Sequence, residues 1–131
     1  MSANPENAEQ RTHPRVNLFR PMKLIHENSS VIKASLRDIS PGGVQAMCDR
    51  ESAHDLGSDG RVSPSAGPQV FATFNLPVGD GFVDIEVDCR MIHLSLAEDE
   101  GVAIGLRYVS FRGPSLDNLR QFILASMEPA Y

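Results

Sequence analysis

The chain is poor in several residue types on which common classes of protein depend. Aromatic residues make up 6% of the sequence, too few to supply the stacking platforms of a barrel that binds single-stranded nucleic acid. Only two cysteines are present, so a scaffold of several disulfides is excluded. No stretch approaches the roughly 18 consecutive apolar residues of a membrane-spanning helix. Basic residues number 12 against 17 acidic ones, a net charge of −5, which disfavours non-specific binding to a nucleic-acid polymer.

The composition is that of one soluble globular domain. Hydrophobic residues make up 41% and charged residues 22% of the 131 residues, which fit a domain of ordinary size. The opening segment, MSANPENAEQ, is too polar for a secretory signal or for a hydrophobic core. We therefore expect a cytoplasmic protein without membrane insertion, with a flexible tail over residues 1–10 and a folded domain over residues 11–131.

Alternation of apolar and polar residues predicts six short β-strands. The clearest runs from Val83 to Met91, where every second residue is apolar and the residues between are acidic or arginine. One face of this strand is expected in a core and the other in water. Phe19 and Ile25 interrupt the alternation of the first strand. The apolar positions of the other strands are Leu18, Met22 and Leu24; Ile32, Ala34 and Leu36; Val44, Ala46 and Cys48; Val70, Ala72, Phe74 and Leu76; and Val102, Ile104, Leu106 and Tyr108.

Two further segments complete the predicted domain. Residues 49–68 hold few apolar residues among three glycines and two prolines, which predicts a long loop. A mobile loop is the favoured interpretation, and a role in binding is the alternative. A helix is predicted over residues 115–127, capped by the Ser115 hydroxyl. The residues at helical spacing are Leu116, Leu119, Ile123 and Met127. The fold class is therefore mostly β: a closed six-stranded antiparallel barrel, because closure removes exposed strand edges, with the helix over one end or side.

The segment RTHPR, before the first strand, is the first of two motifs suited to an anionic purine ligand. Pro14 biases His13 away from helical angles, so the segment is expected to be extended. The Cα atoms of Arg11 and Arg15 can then lie up to about 13 Å apart. Guanidinium groups match a phosphate or the O6 and N7 edge of guanine, and they also stack on purines.

The second motif, DISPGG, lies between the second and third strands. Asp38 can accept hydrogen bonds from the N–H groups of a base, and Ser40 can donate or accept beside it. Gly43 permits close approach of the backbone. Each motif alone has a plain structural explanation, since RxxxR is often a solvated pair and DxSxxG is often a capped turn. Their joint appearance in a small barrel is much more specific.

The ordered set RTHPR, DISPGG, the long strand ending CRMIHL, then GVAIGLRYV and a terminal helix resembles the PilZ domain family over residues 11 to about 126. The resemblance implies a six-stranded barrel with a C-terminal helix. It also implies a bacterial receptor for the second messenger cyclic di-GMP, without catalysis and without a cofactor.

The resemblance further implies roles for individual residues. Arg11 and Arg15 would engage phosphates and guanine edges, and Asp38 and Ser40 would contact a guanine. Gly43 stands at the motif glycine. Three further residues are possible ligand contacts: Gln10, Gly42 and His93. Gln10 replaces an arginine that binding members often carry, which leaves the number of bound ligands open. His93 stands where some relatives have an aromatic residue, and it is alternatively an edge or core histidine.

Other functions have weaker support in the sequence. The four histidines are scattered without ligand spacing, and both cysteines fall on the apolar phase of strands, so no metal site is predicted. Ser40 lacks an obvious base, which argues against an enzyme. The alternative to a nucleotide receptor is a PilZ-like module that binds only protein. In either case we expect a protein partner, such as a component of motility, secretion or polysaccharide synthesis.

Overall fold

The computed structural model describes residues 15–26, 31–54, 68–96 and 101–127. Within these ranges the chain forms six strands, a short helix and a longer terminal helix. The elements are β1 (Val16–His26), β2 (Val31–Ile39), β3 (Gly43–Asp49), α1 (Arg50–His54), β4 (Gln69–Val78), β5 (Gly81–Leu96), β6 (Gly101–Phe111) and α2 (Ser115–Met127). All six predicted strands are confirmed.

The strands form a closed barrel in the order β1-β2-β3-β6-β5-β4, with every neighbouring pair antiparallel. The predicted barrel is therefore confirmed. Closure depends on two contacts between strands that are not consecutive, β3 with β6 and β1 with β4. The first of these contacts brings the turn between β2 and β3 against β6.

The side chains of the alternating residues face the core or the solvent as the sequence predicts. In β5 the side chains of Ile85, Val87 and Met91 are fully buried, whereas Asp84 and Glu86 are exposed. The same inward phase in the other strands supplies most of the core. A period of two is therefore enough to divide each strand into a core face and a solvent face.

The irregular alternation of β1 has a structural cause. The pairing of β1 with β2 shifts register between Asn17 and Arg20, as a β-bulge requires. Phe19 falls within this irregularity and is 72% exposed, and its ring lies 4.4 Å from the Arg37 guanidinium carbon. Beyond the shift, the regular inward phase continues with buried Met22.

Helix α2 has the predicted bounds, but Ser115 serves a different purpose from the predicted cap. Ser115 is buried, and its Oγ accepts the backbone N–H of Glu86 in β5 at 2.8 Å. The hydroxyl therefore fastens the start of the helix to the barrel instead of capping the amides of the helix. Leu119 and Ile123 are buried as predicted, and Phe122 joins them in the core.

The prediction of a loop over residues 49–68 was wrong at its start. Asp49 belongs to β3, and Arg50–His54 form α1. The Asp49 carboxylate accepts the Ser52 N–H at 2.6 Å, which is the hydrogen bond of a helix N-cap. This bond lowers the pKa of Asp49, and Ala53 of α1 packs in the core. Residues 55–67 and the predicted tail over residues 1–10 lie outside the described residues.

Neither helix in the described part of the chain is long and apolar enough to cross a membrane.

Candidate functional site

The turn that joins β2 to β3 is held by hydrogen bonds of its own backbone and of the Ser40 side chain. The Ser40 N–H donates to the Gly43 carbonyl oxygen at 2.9 Å. The Ser40 hydroxyl donates to the same oxygen and accepts the Gly42 N–H, each at 3.3 Å. The Gly42 carbonyl in turn accepts the Tyr108 N–H of β6 at 3.2 Å. Ser40 thus stabilises the turn, which is the structural role that its motif often has.

Gly43 lies at a close approach of β3 to the backbone of β6. It pairs with Arg107 in the ladder between these strands. A Cβ at this position would overlap the Leu106 carbonyl oxygen and would lie 3.1 Å from the Leu106 carbonyl carbon. Because that obstacle is backbone, it cannot rotate away. The requirement for glycine in the motif is therefore steric.

Asp38 lies on β2 beside this turn, and Arg15 directly precedes β1, the neighbouring strand. Val16 pairs with Ile39, so the antiparallel register puts Arg15 level with Ser40. Burial raises the pKa of the Asp38 carboxyl, and the positive charge of Arg15 partly offsets this effect. The site therefore combines a carboxylate that is partly withdrawn from water with a nearby guanidinium.

Tyr108 links this turn to the interior. Its hydroxyl is buried and has no hydrogen-bond partner among the described residues. Burial raises the pKa of Tyr108, and the nearby Cys89 and Asp38 raise it further. The hydroxyl therefore stays protonated at neutral pH.

The two motifs meet in one cleft of about 260 Å³. Five of the predicted site residues line this cleft: Arg15, Asp38, Ser40, Gly42 and Gly43. Arg11 and Gln10 lie outside the described residues. The described part of the cleft thus includes the last residue of RTHPR and four residues of DISPGG.

Six further residues of the cleft were not among the candidates predicted from the sequence. They are Val44 and Gln45 of β3, Ile92 of β5, and Gly105, Leu106 and Arg107 of β6. The polar residues Gln45 and Arg107 show a signal in the sequence, since each lies on the outward phase of a strand. Their proximity to Asp38 depends on the pairing of β3 with β6, which alternation alone does not reveal.

His93 lies next to the cleft and is not part of its lining. It is exposed, pairs with Gly105 across β5 and β6, and has its Nε2 3.1 Å from the Ser95 hydroxyl. A Cβ on Gly105 would lie 3.0 Å from the Cβ of His93. A contact between His93 and a ligand stays a prediction.

The remaining groups with possible reactivity are separate from the cleft. Cys48 and Cys89 are free and buried, and burial raises their pKa values to about 11 and about 12. Both are therefore protonated thiols at neutral pH. Among the residues that the structure describes, no group of three or more histidine, cysteine, aspartate or glutamate side chains could hold a metal ion.

The closed six-stranded barrel with a C-terminal helix is the fold of the family that the sequence resembles. The family model of the PilZ domain matches residues 9–125. The chain belongs to the PilZ domain family. No curated protein sequence matches it at a significant level.

Solved structures with the same fold include proteins of different size. The Bacillus subtilis inhibitor of motility MotI/DgrA aligns with a TM-score of 0.66 and 17% identity, covering 92% of this chain and 53% of its own. The PilZ domain of YcgR from Escherichia coli, solved with cyclic di-GMP, aligns with a TM-score of 0.52 and 17% identity, covering 90% of this chain and 91% of its own. The K. pneumonia protein MrkH, a cyclic di-GMP-dependent transcription regulatory factor, aligns with a TM-score of 0.59 and 20% identity, covering 88% of this chain and 49% of its own. This chain spans about half the length of MotI/DgrA and MrkH.

Proposed function

We propose that this protein is a receptor for cyclic di-GMP and that it signals to a protein partner without catalysing a reaction. The observation that carries the proposal is the convergence of Arg15 with Asp38, Ser40 and Gly43 around one cleft. These residues come from two motifs, one directly before β1 and the other beginning at the end of β2. Their convergence favours a shared ligand rather than two motifs that have separate structural roles.

The chemistry of the cleft suits a cyclic dinucleotide. Arg15 offers a fork of donors to a phosphate, and Asp38 accepts the N1–H and N2–H groups of a guanine. Charge-assisted hydrogen bonds contribute roughly 1.5–3 kcal/mol each. Four or five of them, after ordering costs are subtracted, support an affinity near 1 μM, about −8 kcal/mol.

Arg11 is proposed to complete the site from the segment before β1. The described cleft, about 260 Å³, is smaller than the roughly 300–1,000 Å³ of most ligand pockets. We propose that this segment closes over the DISPGG turn when the ligand binds. Such a closure would change the surface that a partner recognises.

The partner is proposed to be a component of motility, secretion or polysaccharide synthesis. Two structural relatives are described as an inhibitor of motility and as a transcription regulatory factor, so the fold serves more than one output. Because the chain spans about half of each of those proteins, the proposal takes from them only the role of a regulated binding domain.

Isothermal titration calorimetry with cyclic di-GMP tests the receptor function. We expect micromolar binding by the wild-type protein and at least tenfold weaker binding by Arg15→Ala, since one decade corresponds to about 1.4 kcal/mol. Arg11→Ala is expected to have a similar effect. The matched control is Arg120→Ala, which removes an exposed arginine of α2 whose nearest carboxylate oxygen, on Asp117, is 4.0 Å away.

The control should bind as the wild type does. Wild-type affinity in Arg15→Ala would refute the proposed role of the motif. Absence of binding by the folded wild-type protein would favour the alternative module that binds only protein.

A further inference from the structure

Arg107 lies on the wall of the cleft opposite Arg15. A row of residues crosses the outer face of the barrel from Arg15 to Arg107. Arg15 is level with Ser40, Ser40 bonds to Gly43, and Gly43 pairs with Arg107. Arg107 is exposed, and no carboxylate of the described residues forms an ion pair with it. Its guanidinium is therefore available to a ligand in the cleft.

A parallel row of the same face provides the surface on which a base can lie. Asp38 pairs with Gln45, and Gln45 pairs with Gly105. Gly105 has no side chain, and a Cβ there would lie 3.0 Å from the Cβ of His93, the next outward residue of this row. Asp38, Gln45 and Gly105 line the cleft.

The separation of Asp38 from Arg107 fits one purine between them. The Cα atoms of Asp38 and Arg107 are separated by two strand spacings across the sheet, about 10 Å, and by two residues along the strands, about 7 Å. An aspartate on one side and the longer arginine on the other leave room for a flat ring over Gln45 and Gly105. Such a ring would turn one polar edge towards Asp38 and another towards Arg107.

We propose that Arg107 determines the specificity of the cleft for guanine by donating two hydrogen bonds to O6 and N7 of the base whose N1–H and N2–H groups Asp38 accepts. This inference rests on the proposed function and adds a selecting residue outside the two motifs. A guanidinium has donors only, so it matches the two acceptors of guanine. Adenine presents an N6 amino donor at the corresponding position.

The test compares cyclic di-GMP with cyclic di-AMP on the wild-type protein, Arg107→Gln and Arg107→Lys. We expect the wild type to prefer cyclic di-GMP. Glutamine pairs with N6 and N7 of adenine. Arg107→Gln should therefore bind cyclic di-GMP about tenfold more weakly than the wild type does. The ratio of its affinities for cyclic di-GMP and cyclic di-AMP should fall by at least the same factor. Lysine keeps the charge but not the planar fork, so Arg107→Lys should also narrow the preference.

Calorimetry on both ligands separates the possible outcomes, with Arg120→Gln as the control that should retain wild-type behaviour. Equal weakening of both ligands in Arg107→Gln would mean that Arg107 contacts phosphate, and it would overturn the inference. Unchanged binding in Arg107→Gln, or a full preference in Arg107→Lys, would also overturn it. Each of these results leaves the receptor function intact, whereas a folded wild type that does not bind cyclic di-GMP overturns both.

Discussion

At the scale of single residues, the proposed binding of a guanine depends on the charge of Asp38. The ionised carboxylate accepts hydrogen bonds from two N–H groups of a base, whereas the protonated form has an O–H donor that faces those groups. Burial raises the pKa of Asp38 despite the nearby Arg15. Protonation therefore begins at a higher pH than for an exposed aspartate.

This direction of the shift predicts how binding depends on pH. Because the proposed contact needs the ionised carboxylate, affinity for cyclic di-GMP should fall as the pH is lowered through the pKa of Asp38, which lies above the ordinary value of 3.8. The measurement is calorimetry from pH 7 down to the limit at which the protein remains folded. Asp38→Asn keeps an acceptor oxygen but does not titrate, so this component of the pH dependence should disappear. Identical pH profiles for the two proteins would contradict the role of Asp38.

The motif residues illustrate what can be predicted at the residue scale. Asp38, Ser40 and Gly43 are recognisable as candidates because their spacing within six residues is visible in the sequence. The hydroxyl of Ser115 was wrongly assigned, because a serine before a helix can bond to either the helix or a neighbouring strand. Only the docked position of α2 shows that its partner is Glu86.

At the scale of elements, the cleft depends on the close contact between β3 and β6. The backbone at Gly43 touches the backbone at Leu106 without room for a Cβ. At Gly42, one residue earlier, a Cβ would have no other atom within 4 Å. The two neighbouring glycines therefore differ in their tolerance of a methyl group.

Alanine substitutions at these two glycines test the packing of the strands. Gly43→Ala should lower the free energy of unfolding by about 1–3 kcal/mol, the usual cost of overpacking, because the clash is with backbone. Gly42→Ala should stay within about 0.5 kcal/mol of the wild type. Chemical denaturation of the three proteins measures both effects. Equal stability of the two variants would show that β3 and β6 are less closely packed than the structure indicates.

Element boundaries show where pattern and context diverge. Alternation predicted all six strands, since each has one buried face. Helix α1 was missed because five residues carry too little periodicity, although Asp49 before Arg50 was a capping signal. The irregularity of β1 was visible at Phe19, but its cause, a shift of register against β2, depends on both strands.

At the scale of the whole molecule, barrel closure assembles the site from distant parts of the sequence. The prediction of a closed barrel followed from the number of strands and their alternation, and the family resemblance pointed to the same fold. The order of strands does not follow from alternation, so the neighbours of the DISPGG turn on β6 could not be named. For this reason Arg107 was not among the predicted site residues. Its residue type and its position on the outward face of a strand were visible in the sequence, but its place in the cleft was not.

The charge of the molecule is also distributed unevenly. The net charge is −5, yet Arg15 and Arg107 both line the cleft beside a single acidic residue, Asp38. The described cleft is therefore locally basic within an acidic protein. A compact anion with specific hydrogen bonds suits this arrangement better than a nucleic-acid polymer, which would meet the acidic remainder of the surface.

The most direct test of the central claim is a proton–nitrogen NMR titration of the full chain with cyclic di-GMP, with GTP as the control ligand. We expect chemical shift changes to concentrate at residues 10–16 and 38–43, to extend to Gln45 and residues 105–107, and not to appear with GTP. A spectrum that does not change, or changes confined to other faces of the barrel, would contradict it.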